Sequence, residues 1–392
     1  MKPVISEKEY SDRRKRIQDM MQMNGLDIVI AYSDDRFTYG QAHARWICNY
    51  IPQFESAFVI VPSKGPAIIA TGAESEEYAL TYAKGVEVRV VDIFLHPSEE
   101  YPYTTIMPFK KIVSELEDRI GKQIERVGIA GDEMIPHKLY DALRNGFETV
   151  VFADAEPMLM RLRSVKTTDE IAVIRYAYKI AQAGMNAAIE ALEVGKTERE
   201  IAAIAEYKMR SMGSEGAGIM TMVASGKKHL KPILATTSQR VIEKNDMVCM
   251  TFAPRYEGYH GAIARPVVMG KPDAALQRAI DLSMQAQAET REVLRPGTLG
   301  CEVDAAARRT INAAGLGNHF VYTGVHSVGV VEFEWPIMTS LLKDPIRENM
   351  VLSIDIPLYL NDDFGGFRIE NGFLITADGN TPLNDLSVIY TK

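Results

Sequence analysis

The pattern of helices and strands changes near residue 160, and this change limits the folds available to the chain. Before it, short apolar segments typical of strands alternate with amphipathic helical segments. The predicted segments are a helix at 7–24, a strand at 27–32, a hairpin at 57–62 and 66–71, a helix near 74–84, a strand at 86–91, a helix near 105–119, a strand at 126–130, a helix near 136–145 and a strand at 148–153. This alternation predicts an α/β N-terminal domain over residues 1–161.

Residues 162–392 show longer elements. Thr168 and Asp169 form a predicted helix N-cap, and Thr197 with Glu200 forms a capping box that opens a second helix. Strands are predicted at 218–225, 247–256, 261–270, 350–360 and 366–376, with helices near 273–293 and 302–314. Long helices beside long, antiparallel-looking strands indicate an α+β C-terminal domain of catalytic type.

Charge and composition exclude several classes of protein. The chain has 44 Lys and Arg against 52 Asp and Glu, a net charge of −8, which argues against tracking of nucleic-acid phosphates or anionic lipid. Three cysteines are too few and too scattered for a disulfide framework. The charged N-terminus resembles no signal peptide, and no apolar run approaches the ~20 residues of a membrane span. We therefore expect a cytoplasmic protein with no nucleic-acid or membrane partner.

Simple spacing motifs leave the function open. Four of the seven histidines fall in the second half, at His229, His260, His319 and His326. None forms a helical metal-binding pair, and no nucleophile elbow, P-loop or dinucleotide fingerprint occurs in the required context. A single histidine is more often structural or solvated than catalytic.

Several fragments, taken in order, are more informative than any one of them. They lie at 162–177, 225–229, 255–270, 326–336 and 350–376, and include SGKKH, RYEGYHGAIARPVVMG and HSVGVVEFEWP. This succession resembles the creatinase, aminopeptidase P and prolidase superfamily. The resemblance covers nearly the whole chain. It implies a creatinase-type N-terminal domain followed by a pita-bread catalytic domain.

The metal ligands of that superfamily are only partly matched. In its metallopeptidases, two Asp, one His and two Glu hold two divalent metals. The resemblance places Thr251 and Ala262 where the two Asp stand, and it matches His326, Asp355 and Glu370 to the other three positions. Two hard cations need several anionic oxygens. We therefore expect no metal and no cofactor.

Loss of both Asp resembles creatinase, the metal-free hydrolase of the superfamily. The implied function is a metal-independent, creatinase-like hydrolase that cleaves a C–N bond of a small amidine, amide or N-substituted amino acid. His326 would transfer the proton, or would position the substrate if His229 or His260 is the base. Asp355 and Glu370 would orient water and the substrate nitrogen.

Substrate identity stays open, because Ala264 and Ile337 replace two residues that bind creatine in creatinase. Arg265 is a candidate counter-ion or substrate ligand. Tyr259 precedes His260 in a predicted strand, so one of the two faces the pocket.

The segment 36–55 is the part of the N-terminal half that, by resemblance, a dimer partner projects toward the opposite site. Arg45 and Phe54, with His43, are its candidate contributors, and a homodimer is implied. The segment also fits an ordinary surface loop before a strand.

Two other functions remain open at this stage. One is a divergent metal-dependent Xaa-Pro dipeptidase or aminopeptidase. The other is a non-catalytic pita-bread protein that binds a ligand or a protein.

Overall fold

The computed structural model describes residues 2–36, 38–147, 149–388 and 391–392. The chain divides into two units, one formed by residues 5–163 and the other by residues 2–4 and 164–392. We keep the domain boundary after residue 161 as a prediction. Within the described residues, no helix has both the length and the apolar character that crossing a bilayer requires.

A six-stranded sheet forms the centre of the N-terminal unit. Its strands are β1 (Ile28–Ser33), β2 (Ala57–Pro62), β3 (Ala67–Thr71), β4 (Val86–Val90), β5 (Arg126–Ala130) and β6 (Val151–Asp154). Their order is β4-β3-β2-β1-β5-β6. The β1–β2 and β2–β3 pairs are antiparallel, whereas the other neighbours are parallel. The helices are α1 (Glu7–Asn24), α2 (Ala42–Cys48), α3 (Glu76–Tyr82), α4 (Phe109–Ile120), α5 (His137–Gly146) and α6 (Glu156–Ser164).

Local signals explain why most predicted elements of this unit are confirmed. Helix α1 begins after Ser6, whose hydroxyl accepts from the Glu9 amide, and it ends at Gly25 with φ +63°. Its apolar residues Ile17 and Met21 are fully buried. The turn between β2 and β3 contains Gly65, as the hairpin pattern predicts.

Three segments of the N-terminal unit differ from the sequence expectations. Helix α2 occupies part of the segment 36–55, in which Phe37 lies outside the described residues. Helix α6 was not predicted. The predicted strand at 148–153 begins at Glu148, also outside the described residues, and the observed strand begins at Val151.

The C-terminal unit contains two sheets. Its strands are β7 (Gly216–Ala217), β8 (Met222–Ser225), β9 (Met247–Phe252), β10 (Pro254–Tyr256), β11 (Tyr259–His260), β12 (Ile263–Val268), β13 (Val325–Ser327), β14 (Glu334–Ile337), β15 (Val351–Asn361), β16 (Gly365–Ile375) and β17 (Asn380–Pro382). The larger sheet has the order β14-β13-β15-β16-β12-β9-β8, with β17 on β16, and β11-β10-β7 form the smaller one. The helices are α7 (Thr168–Ala191), α8 (Glu198–Ser211), α9 (Lys227–Leu230), α10 (Ala274–Val293) and α11 (Gly300–Ala313).

Helix α10 is tied to the back of the large sheet by polar contacts. Gln287 donates to the backbone oxygens of Ile354 and Ile369, at 3.1 and 3.2 Å. Its own amide oxygen accepts from Asn371 at 2.7 Å. These contacts fix β15 and β16 directly beside Asp355 and Glu370.

Two expectations for this unit are corrected. The predicted strand 247–256 is two strands in different sheets, because Pro254 has no N–H with which to continue the ladder. The cap of α7 is Thr167 rather than Thr168, and Glu170 completes a capping box with it. The predicted capping box at Thr197 and Glu200 is confirmed.

Candidate active site

Three buried side chains converge on one face of the large sheet. Donor atoms of His326, Glu332 and Glu370 all lie within 4.8 Å of one another. His326 lies on β13, Glu370 lies on β16, and Glu332 lies in the connection between β13 and β14. The sequence reasoning identified the first two residues but missed Glu332.

Strand register explains why distant residues meet here. Asp355 pairs with Glu370, and Ser353 pairs with His326. Because side chains alternate along a strand, Ser353 and Asp355 share one face, and their cross-strand partners point to it as well. The structure therefore brings together His326, Asp355 and Glu370, as the sequence predicts.

His326 is held by its backbone neighbour and by an aromatic ring. Its Nδ1 lies 3.0 Å from the backbone oxygen of Ser327, and the ring centroid lies 4.2 Å from that of Phe333. Nε2 lies 3.7 Å from Glu370 Oε1. Burial lowers the pKa of His326, but Glu370 and Glu332 outweigh it, so the net pKa is raised.

Glu370 is the fixed anion of the group. Its Oε1 accepts from Ser353 Oγ at 2.8 Å, and its Oε2 accepts from Arg368 Nη2 at 2.9 Å. Burial raises the pKa of Glu370, but the charges of Arg368 and His326 reverse that effect and lower it to about 2. Glu370 is therefore ionised throughout the neutral range.

Glu332 differs from Glu370 in its electrostatics. Burial, followed by the negative charge of Glu370, raises the pKa of Glu332 to about 7. The Glu332 carboxyl is thus near its titration midpoint at neutral pH, beside a permanently charged neighbour.

One carboxylate oxygen of Asp355 accepts a hydrogen bond, and the other accepts none from the described residues. Oδ2 accepts from the hydroxyl of Tyr322 at 2.7 Å and lies 3.6 Å from Arg368 Nη1. Among the residues that the structure describes, the buried Oδ1 has no hydrogen-bond partner. Burial raises the pKa of Asp355 to about 6; Glu370 adds to the effect and Arg368 opposes it. Arg368 and Tyr322 are further residues that the sequence reasoning missed as parts of the site.

The three-donor group fits one divalent cation. An imidazole and two carboxylates are ligands that Zn²⁺ and Mn²⁺ accept, and three protein ligands leave a position for water. The Nδ1–H···O contact to Ser327 leaves His326 Nε2 as the coordinating atom.

His260 lies outside this cluster. Its Nδ1 donates to the backbone oxygen of Gly329 at 2.9 Å, and its Nε2 accepts from Arg255 Nε at 3.4 Å. Burial and the Arg255 charge lower the pKa of His260 to about 3. A ring held neutral and bonded at both nitrogens is a poor base, so its predicted catalytic role is corrected to one of holding the loop after His326.

A pH-dependent stability follows from His260. Between its usual pKa of about 6.5 and the folded value of about 3, the unfolded chain binds a proton that the folded chain excludes, so stability falls as the pH falls through 6.5. We expect this residue to account for about 2 kcal/mol of the stability lost between pH 7 and 5. Urea unfolding of wild type and of His260→Asn at pH 7 and pH 5 measures the free energy lost by each protein. Equal losses in the two proteins would contradict the assignment.

The side chains of Arg265 and Tyr259 also form hydrogen bonds outside the cluster. Arg265 donates to the backbone oxygens of Ala264 and Glu370, both at 2.8 Å, and to Asn371 Oδ1 at 2.6 Å. Its neighbour Ala264 is the residue that pairs with Glu370, so Arg265 points to the opposite face, and its predicted substrate role is corrected to a structural one. The Tyr259 hydroxyl donates to Glu170 Oε1 at 2.6 Å.

The remaining candidates are not part of the buried group. His229 is exposed on α9. In the N-terminal unit, Arg45 is buried in α2, whereas Phe54 is 77% exposed with φ +66°. Their predicted roles in catalysis or substrate binding stay predictions. His43 contacts Glu156 at 3.0 Å and Arg163 at 3.2 Å within that unit.

Comparison with known proteins identifies related families for both halves of the chain. The profile of metallopeptidase family M24 matches residues 172–377, and that of the creatinase/prolidase N-terminal domain matches residues 13–165. The chain is 30% identical to a Xaa-Pro dipeptidase of Pyrococcus furiosus over 81% of this chain and 86% of the relative. It is 28% identical to a Xaa-Pro dipeptidase of Pyrococcus horikoshii over 95% and 97%.

Solved structures agree with these matches. The crystal structure of the prolidase from Pyrococcus horikoshii superimposes with a TM-score of 0.81 at 25% identity, covering 96% of this chain and 99% of the other. The prediction of a metal-independent, creatinase-like hydrolase is wrong, because the matching profile is that of a metallopeptidase family and these relatives are named Xaa-Pro dipeptidase.

Proposed function

Because this chain belongs to metallopeptidase family M24 and carries a creatinase/prolidase N-terminal domain, we propose that it hydrolyses Xaa-Pro dipeptides with a divalent cation. The family makes it a hydrolase of C–N peptide bonds in the creatinase and aminopeptidase P superfamily. The predicted fold class is confirmed: an α/β N-terminal domain and an α+β pita-bread C-terminal domain.

The observation that carries the proposal is the convergence of His326, Glu332 and Glu370 within 4.8 Å. These three residues would hold the cation. When bound, a divalent cation polarises the scissile carbonyl and lowers the pKa of a bound water. The dry surroundings of the three side chains strengthen every charge interaction among them.

The chain's own residues prepare this site in three ways. The Ser327 backbone oxygen orients the His326 ring, and Ser353 with Arg368 fixes the two oxygens of Glu370. We assign proton transfer to Asp355 Oδ1, because Tyr322 engages the other oxygen and a pKa of about 6 suits a general base near neutral pH.

Removal of metal provides the test. We expect dialysis against a chelator to abolish Xaa-Pro hydrolysis, and Mn²⁺ or Co²⁺ to restore it, because the cation would supply the Lewis acid that polarises the substrate carbonyl. Glu332→Gln should weaken Mn²⁺ binding at least about tenfold by removing one anionic ligand. Hydrolysis rates and Mn²⁺ titration calorimetry measure both effects. Full activity in protein shown to be metal-free by elemental analysis would contradict the proposal.

We also propose the finer features that the sequence suggests. The substrate is a small molecule, as the dipeptidase names of the relatives support. Two chains associate as a homodimer in the cytoplasm, and the net charge of −8 supports the absence of a nucleic-acid partner.

A further inference from the structure

One row of the large sheet crosses the candidate active site. Thr251 pairs with Ala264, Ala264 pairs with Glu370, and Glu370 pairs with Asp355. Of the four residues in this row, two carry carboxylates and both lie at the β15–β16 end. Thr251 and Ala262, which precedes β12, are buried without a charge. The β9–β12 side of the site therefore offers no anionic ligand at these positions.

Arg368 supplies a positive charge between the two carboxylates of the row. Nη2 lies 2.9 Å from Glu370 Oε2, and Nη1 lies 3.6 Å from Asp355 Oδ2. Nη1 also donates to the Tyr322 hydroxyl at 3.2 Å.

The positions of the ligands limit how many cations the site can hold. Donor atoms of His326, Glu332 and Glu370 lie within 4.8 Å of one another, which gives one cation three ligands. The Arg368 guanidinium already lies against both Glu370 and Asp355. A second cation would have to share these buried acids with a guanidinium and would meet no acid at Thr251 or Ala262, which is costly away from water.

We propose that the site takes one divalent cation per chain, with the Arg368 guanidinium in place of a second cation beside Asp355 and Glu370. The inference rests on the proposed metal-dependent function and makes Arg368 a positioning residue. The cation class is a small divalent metal such as Mn²⁺, and the three clustered donor atoms leave no second set of ligands for another metal in contact with it.

The stoichiometry of Mn²⁺ on the full chain tests this directly. Calorimetric titration of chelator-treated protein should give one Mn²⁺ per chain, and elemental analysis after gel filtration should agree. The electron paramagnetic resonance spectrum should show the hyperfine pattern of an isolated ion rather than that of a coupled pair. Two tightly bound, coupled ions would overturn this inference and leave the proposed function standing. No bound ion would overturn both.

Adding charge tests the cause. Thr251→Asp with Ala262→Asp brings two further carboxylate ligands to the site, so we expect two Mn²⁺ per chain for this double variant. The matched control, Thr251→Asn with Ala262→Asn, has the same side-chain size without charge and should bind one. One ion in a folded Asp double variant would overturn the argument that missing carboxylates limit the site to one cation. If that variant does not fold, the wild-type stoichiometry decides.

Discussion

Glu370→Gln is expected to lower the turnover of Xaa-Pro dipeptides on the order of 10³-fold, the range expected when a group essential to the chemistry is removed. Glu370 contacts His326, Ser353 and Arg368, and it is the acid with the pKa held near 2. The amide keeps the shape but removes the negative charge that faces the His326 imidazole and that would bind the proposed cation. Steady-state rates with saturating Mn²⁺ measure the effect.

The matched control is Glu348→Gln, the same change at an exposed position of the C-terminal unit, where the rate should stay within about twofold of wild type. Thermal unfolding of both variants separates loss of chemistry from loss of fold. Turnover above a tenth of wild type in a folded Glu370→Gln protein would remove this residue from the centre of the site.

Lys166→Met should destabilise the protein by about 3–5 kcal/mol, because it removes the positive charge of a buried ion pair. Lys166 Nζ lies 3.0 Å from Glu334 Oε1 and 2.9 Å from Ser327 Oγ. The two charged side chains are only 1% and 3% exposed. Ser327 follows His326 directly, so the same contact anchors the strand that carries His326. Urea unfolding followed by fluorescence gives the change in free energy.

Two comparisons isolate the buried charge as the cause. Lys166→Met combined with Glu334→Leu removes both charges and should recover part of the lost stability. Lys8→Met breaks an exposed pair with Asp12 and should cost under about 1 kcal/mol. Equal losses in the Lys166 and Lys8 variants would show that burial of the pair does not determine its contribution.

Much of the fold is predictable from sequence because its signals are local. Helix α1 has a capping serine at one end and a left-handed glycine at the other, and both lie within its own segment. The hairpin of β2 and β3 is marked by a turn glycine between two apolar runs. The break at Pro254 is harder to predict. The apolar run 247–256 is continuous in sequence, but its first part pairs in the large sheet as β9 and its last part pairs in the small sheet as β10.

The candidate site is less predictable, because it depends on how the strands pair and on where the chain turns back between β13 and β14. His326, Asp355 and Glu370 were identified through family resemblance. Glu332 was missed because its position beside His326 depends on the connection that turns β13 back to β14. An acid within the apolar stretch VVEFEWP was the available signal, since a buried carboxylate needs a partner.

The wrong prediction of metal independence also follows from missing Glu332. Two missing acids, at Thr251 and Ala262, were counted as a loss of cation binding, while the acid contributed by Glu332 was not counted. Arg265 was placed in the site because it matches the arginine of the family segment that includes Ala262, but alternation along β12 turns its side chain to the other face.

The amide of Gln287 behind the large sheet has a consequence for how such a chain can diverge. It donates to the backbone oxygens of the residues that directly precede Asp355 and Glu370, so a helix on the other face of the sheet helps to set the spacing of the two acids. Thr251 and Ala262 lie in neighbouring segments that these Gln287 hydrogen bonds do not reach. Substitutions at those two positions therefore leave the distance between the two acids unchanged.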